Sequence, residues 1–192
     1  MKKRCAWVPL DNELYIKYHD TEWGVPVHDD QKLFEFLILE GFQAGLSWIT
    51  ILRKRENFRK AFDDFDPYKV SCYDEEKIYE LMNNAGIIRN KLKIKAALNN
   101  ANAFLRIVDE FGSFDSYIWQ FVEGQPVINQ WKTIDDIPAS TALSDKMSID
   151  LKNRGFKFVG STICYAHMQA TGMVNDHTID CFRYDEINRK VL

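Results

Sequence analysis

The chain has 192 residues, 46% of them apolar and 28% charged, and 25 Lys and Arg against 28 Asp and Glu give it a formal net charge of −3. That length suits one unit with a sizeable core, and the ordinary composition excludes a disordered chain, a collagen-like repeat and a disulfide-dense secreted scaffold. The start MKKRCAWVPL lacks the apolar run of a signal peptide, and FLIL at 36–39 is far too short for a bilayer, which takes ~20 residues; the expectation is a soluble cytoplasmic protein, with no membrane partner and its cysteines reduced or metal-bound.

Periodicity favours helices almost throughout. Over 31–40, Leu33, Phe34, Leu37 and Ile38 form one stripe behind Asp30 as N-cap. Gly41 and Gly45 interrupt the pattern before Trp48, Ile49 and Leu52 resume it. Ser71 and Asp74 read as a capping box that opens a helix with Ile78, Leu81 and Met82 inward. A longer helix follows through Ile94, Ala97, Leu98, Ala101, Leu105 and Val108. Phe114–Val122 reads as a short helix ended by Gly124 and Pro126, and the stretch from there to Pro138 as an irregular surface loop. Helices over 144–154 and 161–171 flank a tight turn bounded by Gly155 and Gly160, with Gly172 closing the second. The residues after Phe182 carry no pattern and are expected as a loosely ordered tail. With few β signals, no repeat and no linker, the fold class is all-α, a single unit over 1–192.

Three groups of residues carry chemistry. Cys5 and His19 near one end and His177 and Cys181 near the other supply two thiolates and two imidazoles, a filled tetrahedral set for structural Zn2+ that leaves no open position. Spacing alone favours ordinary buried residues here, because no CxxC pair sharpens the pattern. Cys72 and Cys164 read as core thiols, and His28 and His167 have no evident partners. The segment Leu151–Thr162 reads as helix, glycine-bounded turn, helix, which either cradles a phosphate with its backbone N–H groups or is a plain helical corner. Lys152, Arg154 and Lys157 lie beside it, and two more basic stretches run through Arg53, Lys54, Arg55, Arg59 and Lys60 and through Arg89, Lys91, Lys93, Lys95 and Arg106. Finally Trp7, Tyr15, Tyr18, Trp23 and Trp48 are interleaved with polar residues, and Glu40 falls late in the most apolar stretch. These residues suit a base pocket, in which aromatics stack on a purine and a carboxylate reads its edge, or else a helix with one wet glutamate; spacing leaves both open.

The motifs Arg4-Cys-Ala-Trp7, Tyr18-His-Asp-Thr-Glu-Trp-Gly-Val-Pro26, Leu39-Glu-Gly-Phe-Gln-Ala-Gly-Leu-Ser-Trp48, Ala85-Gly-Ile-Ile-Arg89, Arg154-Gly-Phe-Lys-Phe-Val-Gly160 and Val174-Asn-Asp-His177 resemble those of the bacterial 3-methyladenine DNA glycosylase I family, of the helix-hairpin-helix superfamily, from Arg4 to about Cys181. The resemblance implies a helix-hairpin-helix over about 144–172, and one structural zinc per chain that joins segments of about 1–30 and 172–192 through Cys5, His19, His177 and Cys181. It also implies a pocket of Trp7, Tyr15, Tyr18, Trp23 and Trp48 with Glu40 reading the adenine edge, and a wedge into the duplex at Gly45 and Leu46. Lys157, Val159, Gly160, Ser161 and Thr162 become the DNA-gripping hairpin. The resemblance implies double-stranded alkylated DNA as the partner, and a monomer with no nucleotide cofactor is expected. Asn175 stands where many of the superfamily carry an aspartate, an absence for which this family is known; Asp176 is expected to support His177, and Phe42 stands where a polar residue is expected. An adenine alkylated at N3 already carries positive charge and leaves without protonation, so no strong acid or base is required. The alternatives are a non-catalytic zinc-stabilised binder of DNA lesions and a zinc hydrolase of small nucleosides, and the filled metal set argues against the second.

Overall fold

Every residue of α2 (Asp30–Gln43) from Leu33 to Phe42 is buried, and a helix buried all round belongs at the centre of a fold rather than on its surface. The structure is a computed structural model that describes residues 2–191. Around α2 pack α3 (Trp48–Ala61), α6 (Lys91–Phe111), α7 (Phe114–Ile118) and α9 (Ser161–Ala170). The other helices among the described residues are α1 (Glu13–Thr21), α4 (Pro67–Ser71), α5 (Glu75–Asn83), α8 (Ala142–Asn153) and α10 (Phe182–Val191). Two short strands, β1 (Val127–Ile128) and β2 (Val174–Asn175), pair in parallel. The molecule is mostly helical, as its periodicity predicts, and no described helix is long and apolar enough to cross a membrane.

Several boundaries depart from the sequence reading, each for a local reason. Asp29, not Asp30, caps α2 by accepting from the Lys32 amide at 2.8 Å. Asp30 instead accepts from the Phe114 and Asp115 amides at 2.9 and 2.8 Å and so holds the start of α7. Ser71 ends α4, which Pro67 opens at its first position, and Asp74 alone caps α5. Gly41 lies inside α2, where a Cβ would sit 3.5 Å from Phe158; the break comes at Gly45, whose φ of +82° suits glycine. The expected loop towards Pro138 contains β1 and a 3-10 turn at Ile134–Asp136. The expected tail is α10, anchored by buried Ile187 and by Asn175, whose side-chain amide donates to the Tyr184 carbonyl and to Asn188; Leu192 and Met1 lie outside the described residues. Cys72 is exposed rather than a core thiol, whereas Cys164 is buried.

Some residues of the two basic stretches are spent within the fold. Arg55 is buried against Glu35 and Glu22 at 2.7 and 2.8 Å, and Arg59 pairs with Glu35 and Glu56. Lys93 is buried and donates to the carbonyls of Phe42 and Ala44, which satisfies the C-terminus of α2. The N-terminal segment lies along the end of α9: the amides of Gly24 and Val27 donate to Gln169 and Thr171 carbonyls, both at 3.0 Å. Gly172 (φ +70°) permits that crossing, since a Cβ there would lie 2.4 Å from the Val25–Pro26 backbone.

Candidate active site and metal centre

The chain ends meet at Cys5, His19, His177 and Cys181, all buried, with one ligand atom from each within 4.8 Å of the others. His19 comes from α1 and Cys181 from the turn that starts α10, a helix with no pattern of its own in the sequence. Each ring is turned by a partner on Nδ1: His19 donates to Asp20 at 2.8 Å and His177 to Asn175 at 3.0 Å, so both Nε2 lone pairs face the cluster. His177 Nε2 is buried with no partner among the described residues. Burial pushes His177 down to about 2, which keeps the imidazole neutral, as ligation requires. The Cys5 thiol beside it, by hydrogen bonding, holds Cys181 below the ordinary thiol range. Buried thiols, two imidazoles with Nε2 turned inward and an orphaned nitrogen fit a metal ion. Asp176, expected to support His177, faces away, and Asn175 does that work. Asp20, which the sequence reading missed, is held in turn by a bidentate Arg4.

Directly against this cluster stands an aromatic wall. Trp7 packs edge-on to His19 with ring centres 5.3 Å apart, and Trp23 to His177 at 4.6 Å. Trp7 also meets Tyr15 and Trp23, while Tyr18 meets Trp48 at 5.5 Å. These five side chains and Glu40 line a single cavity of about 220 Å³, a volume for one planar group rather than an extended ligand. Glu40 is 4% exposed, and with no compensating partner its burial pushes the carboxyl up to about 8. The buried indole N–H groups of Trp7 and Trp48 also lack acceptors among the described residues. The cavity is therefore walled by π faces, with unspent donors and one costly carboxyl. Gln43, Ile134, Ile137, Ala166 and Gln169 complete the lining. No periodicity marks Ile134 and Ile137, because they reach the cavity from an irregular segment.

Gly45 and Leu46 lie exposed in the turn between α2 and α3, with Leu46 39% accessible. The hairpin residues have unequal freedom. Lys157 and Thr162 are exposed, but Val159 is buried and its carbonyl accepts from the Ser148 hydroxyl. The Lys157 amide donates to Asn100 at 2.8 Å, and the Ser161 hydroxyl is engaged by Ser144 and Asp145. Gly160 is the N-cap of α9, and no side chain caps the first amides of that helix. Phe158 holds a left-handed φ of 55°, strained for an aromatic residue. Phe42 does not approach the cavity lining; it is fully buried against Phe58 and Phe62. His28 pairs with Asp115 on the surface, and His167 is a buried histidine pushed down to about 3 by desolvation.

The profile of the family described as methyladenine glycosylase matches residues 7–184. The chain is 53% identical to DNA-3-methyladenine glycosylase 1 of Escherichia coli (strain K12), over 95% of this chain and 97% of that protein. A crystal structure of 3-methyladenine DNA glycosylase I superposes with a TM-score of 0.91 at 53% identity, covering 94% of this chain and 98% of that one. The Staphylococcus aureus 3-methyladenine DNA glycosylase I, solved for the structural basis of 3-methyladenine recognition, superposes with a TM-score of 0.90 at 36% identity, covering 93% and 95% of the two chains. An aromatic cavity around a buried carboxyl, backed by joined chain ends, thus sits in a chain that belongs to the methyladenine glycosylase family.

Proposed function

We propose that this protein is a base-excision DNA glycosylase that flips 3-methyladenine out of alkylated double-stranded DNA and hydrolyses its N-glycosidic bond, with no lyase step. The observation that carries this reading is Glu40, a carboxyl held almost fully buried and uncompensated among five aromatic side chains. Such a site favours a flat cation over a neutral base. The aromatic faces add cation–π attraction of ~0.5–2 kcal/mol, and stacking offsets part of the few kcal/mol that extrusion costs. The alkylated base departs neutral as the bond to the sugar breaks, the sugar takes up oxocarbenium character, and water adds to its anomeric carbon with loss of a proton.

Within that reading Trp7, Tyr15, Tyr18, Trp23 and Trp48 hold the base and Glu40 reads its edge. Gly45 and Leu46 fill the gap left in the duplex, and the helix-hairpin-helix over about 144–172 grips the backbone. There Lys157 contributes its side chain, and Val159, Gly160, Ser161 and Thr162 their main chain. Cys5, His19, His177 and Cys181 would hold one zinc ion, which supplies a structural cross-link between segments of about 1–30 and 172–192. The same proposal takes the chain to act as one unit and as a monomer on DNA. The test is incubation with methylated duplex DNA and chromatography of the released bases. Release of 3-methyladenine with little 7-methylguanine is expected; tight binding without release makes the protein a lesion binder instead.

A further inference from the structure

Asp176 is 1% exposed and its carboxylate collects hydrogen bonds from neutral donors on both oxygens. Oδ1 accepts from Asn129 Nδ2 at 2.7 Å and Trp131 Nε1 at 2.8 Å; Oδ2 accepts from the Tyr165 hydroxyl at 2.5 Å and Gln169 Nε2 at 2.8 Å. A carboxylate has about four lone-pair sites, so this one is saturated and is not available as a base. The parallel pairing of Val127 with Val174 and Ile128 with Asn175 carries Asn129 alongside Asp176. The Trp131 carbonyl accepts in turn from the Ile179 amide at 2.9 Å. One side chain therefore ties down both the segment that leads to Ile134 and Ile137 and the Gln169 amide of α9, which are walls of the same cavity.

The chemistry of that bond fixes a polarity. An ionised carboxylate only accepts, so Gln169 turns its nitrogen to Asp176, and the group left for an occupant of the cavity is the Gln169 carbonyl oxygen. On the reading of the cavity as a base pocket, we propose that Gln169 is a specificity-determining acceptor of this site and that Asp176 is the positioning residue that sets its orientation. The exocyclic amino group of an adenine-type base has two hydrogens and serves two acceptors, Glu40 and Gln169. A guanine-type base presents a carbonyl oxygen there, which neither an ionised Glu40 nor the Gln169 oxygen can serve.

The experiment measures release of 3-methyladenine and 3-methylguanine from methylated duplex DNA, with metal content and thermal midpoint checked for each variant. Gln169→Met leaves the Asp176 cluster three of its donors and is expected to lower the ratio of 3-methyladenine to 3-methylguanine release by about tenfold, the worth of one hydrogen bond to a charged base. Asp176→Asn places an amide where Oδ2 lay, so Gln169 reverses and offers N–H to the cavity; the ratio falls at least as far. Adding Gln169→Glu to Asp176→Asn restores an acceptor facing the base and recovers the ratio. A ratio unchanged in Gln169→Met, or an equal loss of both activities with no recovery in the double variant, overturns the proposal. A wild-type protein that releases neither base overturns the glycosylase reading and this one with it, whereas a wild type active on 3-methyladenine isolates the failure to Gln169.

Discussion

Glu40 shows how one residue couples function to stability. Burial raises its carboxyl to about 8, so near pH 7 the empty cavity holds it mostly protonated, and only a positively charged occupant makes its ionisation favourable. The ionised form is the one that attracts a cationic base. The value of kcat/KM for base release should therefore climb with pH through a midpoint near 8 and level off above it, since that ratio reports the free protein. Glu40→Gln should flatten the climb and lower the plateau by about 10–100-fold. The stability sign runs opposite to that of an ion-paired acid. A carboxyl raised in the folded state contributes stability fully below its unfolded value of 4.5, and that contribution is lost as pH rises through about 8. Glu40→Gln should thus be more stable than wild type at pH 8–9, by on the order of 1–3 kcal/mol, and not at pH 4.5. Urea titrations at the two pH values check this, and a variant equally stable at both removes the burial cost from the account.

At the scale of elements, hydrophobic periodicity marks the longer helices but not α1, α4 or α10, and not the work of the caps. The run from Ile94 to Val108 marks α6, because burial on one face leaves a repeat in the chain, whereas Leu33, Phe34, Leu37 and Ile38 mark α2 only as part of a stretch buried on every face. Asp29 and Asp30 are both acceptable caps by residue type, and nothing local says that Asp30 reaches across to α7. Likewise α10 and β1 are stabilised by distant partners, Asn175 and β2, and leave no pattern of their own. The difference between the two aspartates is measurable. Asp29→Ala removes one exposed cap bond and should cost about 1 kcal/mol. Asp30→Ala removes two charge-assisted bonds in a part-buried position between elements and should cost about 2–3 kcal/mol. Urea denaturation midpoints that rank Asp29→Ala as the more damaging change would show that α7 does not depend on its cross-chain cap.

For the whole molecule, the site was legible as residue types and illegible as geometry. Cys5, His19, His177 and Cys181 are four good ligands at chain positions too far apart for spacing to join them, and only the resemblance of extended motifs brought them together before the fold did. Asp20 and Asn175, which orient the two imidazoles, were missed or misassigned because hydrogen-bond direction is not written in the sequence. That assembly makes the cluster a keystone. It closes almost the entire chain into a loop, and its two imidazoles are the surface on which Trp7 and Trp23 rest. Stripping the metal from zinc-loaded protein with a chelator should lower stability by about 3 kcal/mol or more, roughly 10 °C in melting midpoint, and added zinc should restore it. Cys181→Ala should match the stripped protein and respond little to zinc. Because the rings behind the cavity are loosened together with the ends, the stripped protein assayed below its melting range should bind the base more weakly, with KM raised before kcat falls. A midpoint indifferent to both chelator and Cys181→Ala would mean that packing of α10 and of the segment around Gly24, rather than a metal, holds the two ends against each other.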